Sequence, residues 1–319
     1  MAPSLVQPLN RFILSCARCS NSNITAWVGK AAQLKTEEID ITLSVSRYVV
    51  LPRRLFNCET VSVMKLNGVY LSALMSFSVS LPKLRVLHVG DSVLFGCHDY
   101  IFVLLAGCPV LEDLLLESSY TEACGGLVCA KGDFELDLKH LAKAKIGFSW
   151  RKICQKSIFM IFQALCNVRF LSITHSTTAC LKYAIGSDIP VFNNLIQLEI
   201  SFGNYHWDLL ARLLQKSPRL EALIIHKEPQ ESTTRQESKW NPPHVPDCLL
   251  VHLKTFCLKE CRGWESEMKL VGYIMQSARV LETIRICISS SIALEAQLQI
   301  RRNLSVLQRR FQSCLIVFH

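Results

Sequence analysis

An apolar-x-x-apolar-x-apolar unit returns along the chain, with polar residues between and around its fixed positions. It occurs at Val61/Met64/Leu66, Leu84/Leu87/Val89, Leu111/Leu114/Leu116, Leu141/Ala144/Ile146, Val168/Leu171/Ile173, Leu195/Leu198/Ile200, Leu220/Leu223/Ile225, Leu253/Phe256/Leu258 and Leu281/Ile284/Ile286. A weaker copy with Ile39 and Ile41 precedes these, with Thr36 in the first position. Half of the chain is apolar, so one such triplet arises by chance at about one site in eight. The spacing is the stronger signal: successive copies begin 23 to 33 residues apart, and a proline stands two residues before the first leucine at Pro82, Pro109 and Pro218.

A strand pleats with period two, so the second and third apolar positions of each unit are expected inside and the residues alternating with them outside. Helical spacing precedes several units, over Asp99 to Ala106, Lys156 to Leu165, Trp207 to Gln215 and Glu265 to Gln276. Helix, turn and short strand at this period predict an α/β leucine-rich-repeat solenoid, a horseshoe in which no repeat buries its apolar face alone. The outer, concave row then holds His88, Asp113, Leu115, Glu117, Phe170, Ser172, Gln197, Glu199, Ile224, His226 and Lys259. That mixture of apolar, acidic and basic groups suits binding of a target protein, with plain solvation of the face as the alternative.

After the Leu220 unit the pattern breaks. Residues 227–239 are polar and without period, a linker by composition. The expected organisation is an N-terminal segment with a degenerate repeat over 1–50, repeats over 51–226, the linker, and a C-terminal region over 240–319. That region ends in a basic amphipathic helix from Ala293 to Gln312, expected to turn Leu298, Leu304, Leu307 and Phe311 inward, and in a strand over Cys314 to Phe318.

Composition narrows the function. The 319 residues carry 35 Lys and Arg against 26 Asp and Glu, a net charge of +9, with 19% charged residues, which excludes a disordered chain. No apolar run reaches the ~18 residues of a membrane span, and the N-terminus lacks the pattern of a secretory signal. The fifteen cysteines are odd in number, and Cys108, Cys166, Cys257 and Cys287 sit in apolar runs. They are expected to be reduced core thiols of a cytoplasmic or nuclear protein.

Several chemistries have candidates and weak support. His244, Cys248, His252, Cys257 and Cys261 have superficially zinc-like spacing but no paired Cys-x-x-Cys modules, so neither metal nor cofactor is expected. Cys16-Ala17-Arg18-Cys19 stands alone and is read as a pair of partly buried strand cysteines. No phosphate-binding glycine loop, nucleophile elbow or His-Glu-x-x-His motif occurs, so no enzyme is expected. Arg301, Arg302, Arg309 and Arg310 form the densest basic patch without interleaved aromatics, which reads as a solvated helix face and not as a nucleic-acid site.

Trp240-x-Pro242-Pro243-x-x-Val245-Pro246-x-Cys248-Leu249-Leu250, then Leu253-Lys254-Thr255-Phe256, then Tyr273 to Leu281 resemble the FBD domain at the C-terminus of many plant F-box/LRR proteins. Leu51 to Leu66, Gly107 to Leu114, and Trp27-x-x-x-Ala31 with Glu38-Ile39-Asp40-Ile41 are similar to other parts of that family, so the resemblance spans about Arg11 to His319. It implies target recognition as the substrate-binding arm of a cullin-RING ubiquitin ligase, in which an F-box engages a Skp-type adaptor. Leu51-Pro52-Arg53-Arg54-Leu55 has an F-box-like opening, but Asn57-Cys58-Glu59-Thr60 and a repeat strand follow it. On this comparison the chain begins just after the F-box would end. A truncated member, an incomplete gene model and a scaffold outside ubiquitination all remain open.

Overall fold

The computed structural model describes residues 9–44, 49–71, 78–95, 99–119, 136–149, 155–183, 189–202, 207–228, 244–310 and 315–318. They pack as two compact units, Met1–Leu165 and Cys166–His319. The first unit contains β1 (Arg11–Cys16), α1 (Asn21–Gln33), β2 (Glu38–Leu43), β3 (Val49–Val50), β4 (Val63–Asn67), β5 (Val69–Leu71), β6 (Val86–Phe95), α2 (Asp99–Ala106), β7 (Asp113–Ser119), β8 (Lys143–Ser149) and α3 (Gln155–Ala164). Its main sheet runs β1-β2-β4-β6-β7-β8 with every pairing parallel, and β3 and β5 extend β6 on a second, smaller parallel sheet.

The second unit contains β9 (Phe170–Ile173), α4 (His175–Tyr183), β10 (Gln197–Phe202), α5 (Trp207–Gln215), β11 (Ala222–Lys227), α6 (Asp247–Val251), β12 (Thr255–Cys261), α7 (Glu265–Ser277), β13 (Thr283–Ile288), α8 (Leu294–Arg310) and β14 (Leu315–Phe318). These six strands pair in sequence order, again all parallel. The fold is therefore mixed α/β with a large parallel sheet. The linker expected over 227–239 is described only at its start, where Lys227 closes β11 as a buried residue. Residues 229–239 and the Trp240-Asn241-Pro242-Pro243 segment lie outside the described residues.

The repeat register is as expected. Every apolar position of the nine units is buried, Leu87, Leu114, Leu198, Leu223 and Ile284 almost completely, and the partners across each strand pair are the equivalent positions of adjacent units. Two backbone devices repeat with them. A turn brings the first position's N–H to the carbonyl three residues earlier, as in Leu84 to Leu81, Leu141 to Leu138 and Leu195 to Phe192. The next residue then donates to its counterpart one unit back, in the series Arg85 to Ser62, Glu112 to Arg85 and Ala142 to Glu112, and again Glu221 to Ile196, Lys254 to Glu221 and Glu282 to Lys254. These bonds satisfy the polar backbone next to the buried leucines, which would otherwise cost free energy. The weak copy works because Thr36, fully buried, donates its hydroxyl to Ala31 O at 2.7 Å.

Three expectations need correction. Cys16 and Cys19 are not free strand thiols: they are joined by a disulfide, because the turn after β1 brings their Cα atoms to 6.0 Å. Cys166 and Cys287 are only partly buried, in contrast to Cys108 and Cys257. In α8, Leu298 is 47% exposed and Leu307 is half-buried, while Ile300 and Leu304 face the core. At 3.6 residues per turn, Leu298 lies about 200° round the helix from Ile300. Gly263, at a positive φ of 76°, accommodates Ile300 at a spot where a Cβ would collide with that side chain. Phe311 lies outside the described residues.

Candidate protein-binding face

The residues alternating with the buried leucines form one face of each unit's sheet. In the first unit, parallel register aligns Lys65, His88, Leu115 and Lys145 in one row, and Val63, Val86, Asp113 and Lys143 in the row beside it. Asp113 is the hub: His88 Nε2 is 3.4 Å from its Oδ1, and Lys143 Nζ donates to its Oδ2 at 3.2 Å. Lys145 pairs with Glu117 at 2.5 Å, and Glu117 faces Gly147 across β7 and β8. Leu115 stands half-buried between His88 and Lys145, leaving an apolar spot inside a charged border.

In the second unit, Phe170, Gln197, Ala222, Thr255 and Thr283 make one row, and Ser172, Glu199, Ile224, Cys257 and Arg285 make the next. His226 and Lys259 are aligned further along the strands. Glu199 Oε1 lies 2.5 Å from His226 Nε2 and 4.0 Å from Lys259 Nζ, so one carboxylate organises two basic groups on neighbouring strands. Phe170 is 39% exposed and Ile224 half-buried. Aromatic and aliphatic surface next to ordered charge is the composition that protein interfaces use.

All eleven residues expected on the outer row have such positions, four in the first unit and seven in the second. The same alternation also places Lys65, Lys143, Lys145 and Arg285 on these faces, beyond the eleven expected residues. Cys257 shares the register of Ile224 and Arg285 but is buried, as expected of a core thiol. It is 7% exposed, and burial together with neighbouring Cys287 pushes its thiol up.

The zinc-like residues are spread over separate environments. Cys248 Sγ donates to Leu214 O at 3.5 Å, and Cys261 Sγ to the Glu267 carboxylate at 3.7 Å. Burial raises both thiols, that of Cys248 to about 12. Among the described residues no three His, Cys, Asp or Glu side chains gather as a metal site, and no helix is long and apolar enough to cross a membrane.

Comparison with known proteins places the chain beside a group of plant proteins. Residues 241–286 match the FBD family model. A probable FBD-associated F-box protein of Arabidopsis thaliana is 28% identical over 349 residues, covering 96% of this chain and 81% of that protein. One F-box/FBD/LRR-repeat protein of the same plant is 24% identical over 84% of this chain and 68% of its own length. Another is 24% identical over 99% of this chain and 82% of its own length.

Proposed function

We propose that this relative of the Arabidopsis F-box/FBD/LRR-repeat proteins is a non-catalytic recognition module, the target-binding arm of a cullin-RING ubiquitin ligase. Residues 51–226 serve as the repeat arm of a horseshoe, and 240–319 continue it as an FBD-like region. The observation that carries the reading is the ordered, partly exposed face of Phe170, Glu199, Ile224, His226 and Lys259 on strands whose opposite face is fully buried. A target protein would lie across that face, where Ser172 and Gln197 complete the polar part of the surface. The face of the first unit that holds His88, Asp113, Leu115 and Glu117 is a second candidate surface, taken by itself. Ion pairs and hydrogen bonds fix His88, Asp113 and Glu117 on one face and Glu199, His226 and Lys259 on the other before binding, which lowers the entropy lost on association.

A free interaction scaffold is the second reading. The one stretch with an F-box-like opening, Leu51 to Leu55, passes through a single 3-10 turn over Arg53–Asn57 and buries Leu55 and Phe56 before β4 begins. Co-purification of the 319-residue chain with a plant Skp-type adaptor, beside a complete F-box/FBD/LRR-repeat protein as control, separates the two. Adaptor binding supports the ligase arm. A folded chain that leaves the adaptor unbound, while the control retains it, overturns that role and leaves the scaffold.

A further inference from the structure

A cavity of about 260 Å³ opens at the carboxyl end of β1, and both Cys16 and Cys19 line it. Cys16 ends β1; Cys19 directly precedes Ser20, whose hydroxyl caps α1 by accepting from Asn23 N–H at 3.3 Å. Because β2 returns parallel to β1, the Cys-x-x-Cys segment is the first turn of a βαβ unit. In open parallel sheets that end of the strand is where crevices form and ligands bind.

The pair differs from the other described cysteines. It is the one disulfide among the described residues; its two sulfurs belong to partly exposed residues, as do the thiols of Cys166 and Cys287, whereas Cys108, Cys248 and Cys261 are free and buried. A bond between residues three apart closes too small a loop to constrain the unfolded chain as a long-range disulfide does. Its position suits exchange better than stapling. Cys19 N–H points at Cys16 Sγ, 2.9 Å away, and can stabilise negative charge there. The cavity adds the exposed Arg18 as a cation, Asn21 as a polar group, and Ile24 and Leu43 as apolar wall.

We propose that Cys16 and Cys19 form a reversible thiol–disulfide exchange site for a small anionic thiol, one bearing carboxylates that Arg18 attracts. The thiolate of the small molecule attacks Cys19 Sγ. A bond forms between these two sulfurs, the Cys16–Cys19 bond breaks, and its electron pair leaves on Cys16 Sγ beside the Cys19 amide. A second small thiolate then attacks the small molecule's sulfur in the mixed disulfide and releases the Cys19 thiolate. The protein disulfide gains two electrons, the two small thiols are oxidised to their own disulfide, and their two protons finish on Cys16 and Cys19. The reverse sequence re-forms the bond.

Glutathione is the probe. The native 319-residue protein is equilibrated over a series of reduced-to-oxidised glutathione ratios, quenched with acid, alkylated and digested with trypsin. Cleavage after Arg11, Arg18 and Lys30 releases residues 12–18 and 19–30 as one linked pair when oxidised and as two alkylated peptides when reduced. The expected result is full interconversion in both directions, with Cys108, Cys248 and Cys261 unlabelled throughout, and a glutathione adduct trapped on Cys19 in Cys16→Ser. Arg18→Glu, followed by intact mass, is expected to slow exchange with glutathione several-fold and leave exchange with neutral 2-mercaptoethanol unchanged. Should a variant fail to fold, the wild-type preference for glutathione over 2-mercaptoethanol must shrink as salt is raised. A linked pair that stays unchanged across the series in folded protein overturns the site; a glutathione rate insensitive to both Arg18→Glu and salt overturns the anionic partner.

Discussion

Glu199 on β10 and His226 on β11 meet side by side on the solvent face of the sheet, Oε1 and Nε2 2.5 Å apart. Lys259 on β12 reaches toward the same oxygen. About a third of each partner's side chain remains exposed, and exposed ion pairs contribute only about 0 to 1 kcal/mol. Glu199→Ala is therefore expected to lower unfolding stability by less than about 1 kcal/mol, measured by urea titration. The double variant Phe170→Ala/Glu199→Ala is expected to lose binding to an identified target. Unchanged affinity in the double variant would remove these two residues as its anchor.

Two leucines with similar numbers have opposite fates. Leu198, fully buried on β10, is expected to cost about 2 to 5 kcal/mol as Leu198→Ala, through lost burial and the cavity left behind. Leu298, 47% exposed on α8, is expected to change stability by no more than about 0.5 kcal/mol as Leu298→Ala. Paired thermal melts check both; equal shifts would contradict the burial pattern on β10 and α8 alike.

The strands were legible because the repeat imposes one rule on every copy: Leu114, Leu198 and Ile286 are buried at the positions that alternation requires. Helices were less so. α4 begins His175-Ser176-Thr177-Thr178, poor helix formers, yet Thr177 and Thr178 are buried, and Thr178 donates to Ser201 O on β10 at 2.9 Å. A polar residue satisfied by a neighbouring strand leaves no apolar period to read. α1, which the helical spacings above do not include, carries its apolar period in Ile24, Val28 and Ala31, whereas Trp27, named only for the resemblance, is exposed. The face residues followed directly from strand alternation, but their pairing across strands depends on side-chain reach, which spacing does not encode. The Cys16–Cys19 bond depends on how the chain turns between β1 and α1, and composition pointed away from it.

Glu267 is fully buried in the first turn of α7, within the stretch that matches the FBD family. One of its carboxylate oxygens accepts from the backbone N–H of Trp264 at 2.9 Å and of Arg262 at 3.0 Å. Removing it orphans two amide donors at a helix start, where unpaired groups are costly. Glu267→Ala is expected to destabilise by about 2 kcal/mol or more in urea unfolding, and Glu267→Gln, which keeps an acceptor oxygen, by clearly less. Equal losses for the two variants would mean that the carboxylate's charge, and not its acceptor geometry, is what matters.

Gly68 joins β4 to β5 with φ of 69°, and a Cβ there would strike the carbonyl of Leu43 at the end of β2. Left-handed backbone and a clash with main chain combine, so Gly68→Ala is expected to lose about 2 kcal/mol or more. A Gly68→Ala protein melting at the wild-type temperature would show that this turn relaxes freely.

The buried thiols give the chain a stability limit on the alkaline side. Burial pushes Cys108 and Cys248 up from 9.0 to about 12 in the folded protein. In the unfolded chain they ionise at the lower, ordinary value, so above it the unfolded state holds fewer protons than the folded one. Stability then falls as pH rises. The contribution is whole below about pH 9 and lost progressively up to about 12. The urea midpoint is expected to decline between pH 9 and 11, and Cys108→Ala/Cys248→Ala to flatten that decline while lowering the midpoint at pH 7. Folded wild-type protein at pH 8 should leave both thiols unreactive to iodoacetamide until urea exposes them. Alkylation of Cys108 at the rate of a free thiol under native conditions would place it outside the core and remove the basis for the alkaline limit.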